Sequence, residues 1–83
     1  MKFMVKNSLN QAYRSEDIMH LIPAEQARAA ELQEQGIILA IYVAADLSRA
    51  WLVYEGESQA DAQAALETLP LYKFTDVEIT PLA

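Results

Sequence analysis

The sequence predicts an α+β fold with six elements in the order β-α-β-β-α-β. Residues 2–8 alternate in side-chain character, which is the period of a β-strand. Two neighbouring apolar runs, 37–44 and 49–55, are too short to be buried helices and are rich in residues that favour strands. Helix-forming segments precede and follow this pair, at 16–35 and from Ser58 onward.

The first helical segment contains a proline, which limits its geometry. Ser15 is a candidate N-cap because its hydroxyl can accept from the first orphan backbone donors. Pro23 would remove a donor inside the helix, so either the helix kinks or a short turn at 16–21 precedes a helix that begins at Pro23. Gly36 stands where a left-handed C-cap belongs. Three small side chains predict a close approach to the sheet: Ala24, Ala27 and Ala30.

The two central strands are predicted to be covered on both faces. "IILAIYVA" at 37–44 and "RAWLVYE" at 49–55 are apolar at successive positions, whereas a strand with one wet face would alternate. Only the turn at 45–48 separates them, and such a short connection makes them antiparallel neighbours.

The second half of the chain carries local signals for a helix and a last strand. Ser58 with Asp61 is a variant of the capping box, and Pro70 is expected to stop the helix. Residues 72–80 are the predicted last strand, and Pro81 is expected to end its pairing. One stripe of this helix is apolar: Ala62, Ala65, Leu66 and Leu69.

This order of elements is that of a ferredoxin-like split βαβ fold. Right-handed crossovers place both helices on one face of a four-stranded antiparallel sheet. The other face would be bare, although the central strands are apolar on both sides. We therefore expect a second copy of the chain to cover it, as a homodimer.

Composition supports self-association of a single domain spanning residues 1–83. A chain of 83 residues has a small core, yet 53% of its residues are hydrophobic, as expected where a subunit interface also has to be buried. The net charge is −6 and the six basic residues are scattered, so no nucleic-acid partner is expected. Without cysteines, a signal peptide or a membrane-spanning run, the sequence predicts a cytoplasmic protein with no membrane partner.

The C-terminal segment "LPLYKFTDVEITPL" resembles the end of muconolactone isomerase. In that family a leucine-proline-leucine turn leads to an aromatic pair and an Asp-hydrophobic-Glu strand. "KFMVK" at the N-terminus and "ELQEQG" before the second strand are similar to the same family. The resemblance implies a dimeric α+β barrel in which two sheets meet face to face, and it allows a larger ring of dimers.

The resemblance also implies a function. It points to a muconolactone delta-isomerase-like protein, an isomerase that transfers a proton without a cofactor on a small unsaturated lactone or an aromatic-degradation intermediate. Residues 37–43 are apolar where the family is rich in Arg, His and Trp, so two alternatives stay open. One is a non-catalytic oligomer that binds a small apolar or aromatic-derived ligand or is purely structural. The other is a cofactor-free monooxygenase-like enzyme, since one fold hosts several chemistries.

Lys6 and His20 are the candidate catalytic residues. His20 is the only histidine and could act as a general base, or it could be a partly exposed helix residue. Lys6 points away from Phe3 and Val5, where it could hold a ligand carboxylate or polarise a carbonyl. The alternative for Lys6 is an ion pair with Asp76 or Glu78 on a neighbouring strand or subunit.

Four further residues are candidates for ligand binding: Tyr42, Trp51, Asp76 and Glu78. The two aromatic residues could line a pocket, or they could pack in the core or an interface. The two acids share one strand face, roughly 7 Å apart, with Phe74 on the same side and Val77 and Ile79 facing the helices. The acids could do acid–base work or pair with bases across an interface. One histidine and no cysteine predict no metal site, and no cofactor is expected.

Overall fold

The structure is a computed structural model that describes residues 1–46 and 48–83. Leu47, in the predicted turn at 45–48, lies outside the described residues. The strands are β1 (Lys2–Leu9), β2 (Ile38–Val43), β3 (Arg49–Glu55) and β4 (Thr75–Pro81). The α-helices are α1 (Ser15–Ile18), α2 (Ile22–Glu34) and α3 (Gln59–Leu66), and single 3-10 turns span Met19–Leu21 and Tyr72–Phe74.

The strands of the described residues form one antiparallel sheet in the order β2-β3-β1-β4. β1 is central, so Phe3 lies opposite Tyr54 on one side, and Val5 lies opposite Ile79 on the other. A register shift between Ile38 and Ala40 interrupts the pairing of β2 with β3. This topology confirms the predicted ferredoxin-like fold class.

The helices cover one side of the sheet, called here the helix face. The buried core joins sheet residues of that face to residues of α2, α3 and the segment after α3: Phe3, Val5, Leu32, Ile38, Leu52, Tyr54, Ala62, Leu66 and Leu69. Val77 and Ile79 pack against this core, as predicted. The opposite side, called here the open face, carries the alternate residues of each strand, including Lys6, Trp51 and Glu78. No segment of the described chain covers it.

Of the two alternatives for the first helical segment, the structure shows a short turn followed by a separate helix that begins next to Pro23. A short helix and a 3-10 turn precede α2, and Pro23 lies in the first turn of α2, where its missing donor costs no helical hydrogen bond. Gly36 has φ of 76° and ends α2. The backbone N–H groups of Gly36 and Ile37 donate to the carbonyls of Gln33 and Leu32 in a Schellman pattern.

Several local expectations were wrong. The face of α2 that meets the sheet is not the alanine stripe, since Ala24, Ala27 and Ala30 are exposed while Leu32 is buried. Leu32 is the buried residue of α2, and Ala29 packs against the same core. Ser15 is the first helical residue rather than the cap, because the Asp17 carboxylate accepts from the backbone N–H of Arg14 and closes the turn.

The last strand also differs from the prediction. It begins at Thr75, because residues 72–74 form a 3-10 turn. Phe74 lies in this turn and makes an edge-to-face contact with Tyr13. α3 ends at Leu66, before Pro70. Pro81 still pairs with Phe3, and the N–H of Leu82 donates to the carbonyl of Lys2, so the pairing continues past the proline.

Candidate functional site

A row of four side chains crosses the open face. Tyr42 lies opposite Trp51, Trp51 lies opposite Lys6, and Lys6 lies opposite Glu78. Directly opposite residues have Cβ atoms about 5 Å apart, so each member of this open-face row is a side-chain neighbour of the next. The fold thus places four of the six predicted site residues in one line.

The two charged members of the open-face row are Lys6 and Glu78. Neither makes a salt bridge within the described residues. Asp76 lies further along β4, opposite Ser8, and its carboxylate accepts from the side-chain amide of Asn10 at 2.8 Å. Tyr42 is 63% exposed. In a single chain the row is therefore a surface rather than a pocket.

His20 lies apart from the open-face row. It belongs to the 3-10 turn between α1 and α2, on the side of the molecule where the helices lie, and it is exposed. The structure does not bring His20 together with Lys6, and neither residue lines the cavity described next.

A cavity of about 510 Å³ lies between α2 and the helix face of the sheet. This volume is in the range of small-molecule sites. Most of its wall is apolar, with side chains that include Ile18, Ile22, Ala29, Ile41, Leu52 and Leu71. The polar residues that line it are Asn7, Glu25, Gln26, Ser48, Arg49 and Thr75. This helix-side cavity is the candidate functional site.

Glu25 is the one acidic side chain among the described residues that line the cavity. It lies on the inward stripe of α2, because Glu25, Ala29 and Leu32 are spaced as i, i+4 and i+7. Its Oε1 accepts a hydrogen bond of 2.9 Å from the backbone N–H of Leu71. Burial raises the pKa of Glu25, and the Leu71 hydrogen bond opposes part of that rise. A carboxyl in this state can accept or donate a proton nearer neutral pH than a solvated glutamate.

Two buried polar atoms on the helix face have no hydrogen-bond partner among residues 1–46 and 48–83. They are the side-chain oxygen of Asn7 and the hydroxyl of Tyr54. Asn7 lines the cavity. Tyr54 is a core residue, and burial, followed by the nearby Glu25 charge, raises the pKa of its hydroxyl. Unpartnered buried groups are uncommon in folded proteins, so each requires an explanation.

Glu25 and Asn7 were absent from the sequence-based candidates. In the sequence, the segment that contains Glu25 predicts only a helix. Glu25 lies seven residues before Leu32, so both residues share one face of the helix. This spacing identifies a carboxylate on the buried stripe once Leu32, and not the alanines, is taken to face the sheet. Asn7 follows Phe3 and Val5 at alternate positions of β1, and an amide at the end of a buried apolar series was a usable signal.

The described part of the chain offers neither a metal site nor a membrane-spanning helix. No group of three or more histidine or acidic side chains there could hold a metal ion. None of the described helices has the length and apolar character needed to cross a bilayer.

The fold and the cavity together define a small ferredoxin-like α+β protein with a ligand-sized pocket beneath its first long helix. The family model described as muconolactone delta-isomerase matches residues 1–83, and the chain belongs to that family. The resemblance found in the C-terminal segment is thereby confirmed for the whole chain.

Solved structures agree with the family match. A crystal structure of muconolactone isomerase superposes with a TM-score of 0.81 at 25% sequence identity, covering 100% of this chain and 88% of the other. A 5-chloro-2-hydroxyhydroquinone dehydrochlorinase from Burkholderia phenoliruptrix, in complex with 2,5-dihydroxybenzoquinone, shares the fold. Its TM-score is 0.71 at 17% identity, with 100% of this chain and 94% of that one covered.

A protein from Agrobacterium tumefaciens shares the fold more distantly, with a TM-score of 0.51 at 11% identity over 100% of this chain and 94% of the other. None of the curated proteins matches the chain.

Proposed function

We propose that this protein is a cofactor-independent isomerase that moves a proton within a small unsaturated lactone such as muconolactone. The observation that carries the proposal is Glu25, a carboxyl with a raised pKa in an otherwise largely apolar cavity of about 510 Å³. Membership of the muconolactone delta-isomerase family supplies the substrate class.

Glu25 would carry the proton in this reaction. Its carboxylate removes a proton from a ring carbon of the lactone, and the electron pair moves toward the ring carbonyl to give an enolate-like intermediate. The protonated carboxyl then returns the proton to a different carbon, which shifts the double bond. Substrate and product have the same atoms and electrons, so the reaction consumes no co-reactant.

Isomerisation of muconolactone by the purified protein tests this proposal. Glu25→Gln keeps the size and the acceptor oxygen of the side chain but cannot exchange a proton, and we expect kcat to fall by about 10²-fold or more. Glu34→Gln is the matched control, because Glu34 is an exposed acid at the end of the same helix. Turnover by Glu25→Gln within threefold of the wild type would contradict the assignment.

A second candidate function is non-catalytic binding of a small apolar or aromatic-derived ligand. It is favoured by the predominantly apolar cavity wall and by the absence of Lys6 and His20 from the described lining. Saturable binding of muconolactone without any turnover would support this candidate over the isomerase.

We also propose that two copies of the chain pair through their open faces as a dimeric α+β barrel. The support is the exposed Tyr42 beside the half-buried Trp51, on a face that the described chain leaves uncovered. In such a dimer the open-face row and Asp76 would line the shared interior, and dimers could assemble further into a ring. Lys6 and Glu78 would then have charged partners from the other copy.

A further inference from the structure

We infer that Asn7 binds the ring carbonyl oxygen of the lactone and stabilises the negative charge that develops there when Glu25 removes the proton. This inference rests on the proposed function and extends it to a second group of the same cavity. Glu25 lies on the helix wall and Asn7 on the sheet wall, so a ligand between them can contact both.

The backbone fixes the direction of the Asn7 side chain. Phe3 and Val5 are 1% and 0% exposed on the helix face, and strand geometry places Asn7 on that same face because it follows them at the next alternate position. The side chain lines the cavity. Its nearest cross-strand neighbours are Ala50 on β3 and Val77 on β4, and neither side chain can form a hydrogen bond.

The side-chain oxygen of Asn7 therefore has no partner on either neighbouring strand. This oxygen is buried and unpartnered among the residues that the structure describes. Leaving such a group unsatisfied costs about 1–3 kcal/mol, whereas an apolar side chain of similar size at this position would avoid that cost. A group kept at such a cost inside a ligand-sized cavity is explained when a ligand supplies the missing hydrogen bond.

The chemistry of proton removal selects a carbonyl as the ligand group. Rotation about the bond between Cβ and Cγ exchanges the positions of Oδ1 and Nδ2, so the amide can present its N–H donors to a ligand oxygen. The reaction moves electron density onto the carbonyl oxygen, and a fixed donor in an apolar cavity stabilises that charge more than the neutral carbonyl. Glu25 cannot serve this purpose while it is the proton acceptor.

Kinetics and NMR of the full-length protein with muconolactone test the inference together. Asn7→Leu removes the amide at similar volume, and Gln33→Leu is the matched control because it removes an exposed amide from α2. We expect Asn7→Leu to lower kcat by about 10²-fold with little change in KM, and Gln33→Leu to match the wild type. In the ¹⁵N-labelled wild type, muconolactone is expected to shift the side-chain NH₂ resonances of Asn7.

The outcomes separate this inference from the proposed function. If the wild type turns over muconolactone and the kcat of Asn7→Leu is within threefold of the wild-type value, the role of Asn7 is overturned. The isomerase proposal then stands. A shift of the Asn7 NH₂ resonances without any turnover would overturn the isomerase and keep Asn7 as the carbonyl-binding group. If muconolactone gives no turnover and no shift of the Asn7 resonances, both the isomerase proposal and the role of Asn7 are overturned. If Asn7→Leu fails to fold, the NMR titration of the wild type decides.

Discussion

The carboxylate of Glu25 accepts a hydrogen bond of 2.9 Å from the backbone N–H of Leu71. This bond joins the inward stripe of α2 to the segment that follows α3, and both residues line the cavity. It holds one carboxylate oxygen, while burial penalises the charged form more strongly than the bond favours it. The fold therefore maintains an acid with a raised pKa at the edge of an apolar space.

The raised pKa predicts how Glu25→Gln changes stability with pH. A folded state that raises the pKa of an acid favours its neutral form, so the wild type loses stability as the pH rises through that pKa. The substituted amide would stay neutral at every pH and could still accept from the backbone N–H of Leu71. We expect Glu25→Gln to be more stable than the wild type at pH 8, by roughly 1 kcal/mol or less, and the difference to shrink toward pH 4.

Urea midpoints at the two pH values measure this difference. Glu34→Gln is the control, because the exposed Glu34 is not part of the buried stripe. A stability gain for Glu25→Gln that is larger at pH 4 than at pH 8 would show that the sign of the pKa shift is wrong.

Tyr54 and Tyr72 differ in the hydrogen bonding of their hydroxyl groups. We therefore expect removal of each hydroxyl to change the free energy of unfolding in opposite directions. Tyr54 is fully buried and its hydroxyl has no partner in the described structure, whereas the Tyr72 hydroxyl accepts a hydrogen bond of 2.7 Å from Gln63. We expect Tyr54→Phe to raise the free energy of unfolding by about 1 kcal/mol and Tyr72→Phe to lower it by about 1 kcal/mol. Chemical denaturation of both variants compares them directly. A larger loss for Tyr54→Phe than for Tyr72→Phe would mean that the Tyr54 hydroxyl has a partner.

Signals between neighbouring residues made most of the fold predictable. The alternation in β1, the glycine that ends α2 and the pair formed by Ser58 and Asp61 each act within one turn or a few residues. The Asp61 backbone N–H donates to the Ser58 hydroxyl at 3.3 Å, as the capping pattern predicts. These features do not depend on tertiary packing, so their sequence patterns were sufficient.

The cavity was not predictable in the same way. Its volume depends on the distance between α2 and the sheet, which is set by the whole inward stripe and by the 3-10 turn that precedes α2. In the sequence, chemical type alone favours Lys6 and His20 as candidate catalytic residues. Glu25 has an ordinary side chain whose properties come from its burial, and burial is a tertiary property.

Lys6 and His20 remain predictions that turnover measurements can test. If the reaction takes place in the helix-side cavity, His20→Ala should change kcat by less than threefold, because His20 is exposed and does not line the cavity. Lys6→Ala should lower activity only through the assembly of the dimer, since Lys6 lies on the open face. Assays at protein concentrations above and below the dimer dissociation constant distinguish this effect from a catalytic one. A fall of 10²-fold or more in His20→Ala would instead move the proton transfer to His20.

The open-face row predicts that a single charge will weaken self-association without unfolding the chain. Tyr42 is 63% exposed, so Tyr42→Glu leaves the core of the subunit intact. In a face-to-face pair the new carboxylate would lose its water beside Trp51, and each chain already carries a net charge of −6. Because a central aromatic residue often dominates an interface, we expect the dimer dissociation constant to rise at least about tenfold.

Sedimentation velocity across the micromolar range measures this change, and acrylamide quenching of Trp51, the only tryptophan, reports on the covered face. Met19→Glu is the matched control, because Met19 is 67% exposed on the side where the helices lie. It should leave the dimer unchanged. A wild-type monomer in which Trp51 is as open to quencher as in Tyr42→Glu would remove the physical basis of the paired sheets. An equal loss of association in both variants would place the contact elsewhere on the subunit.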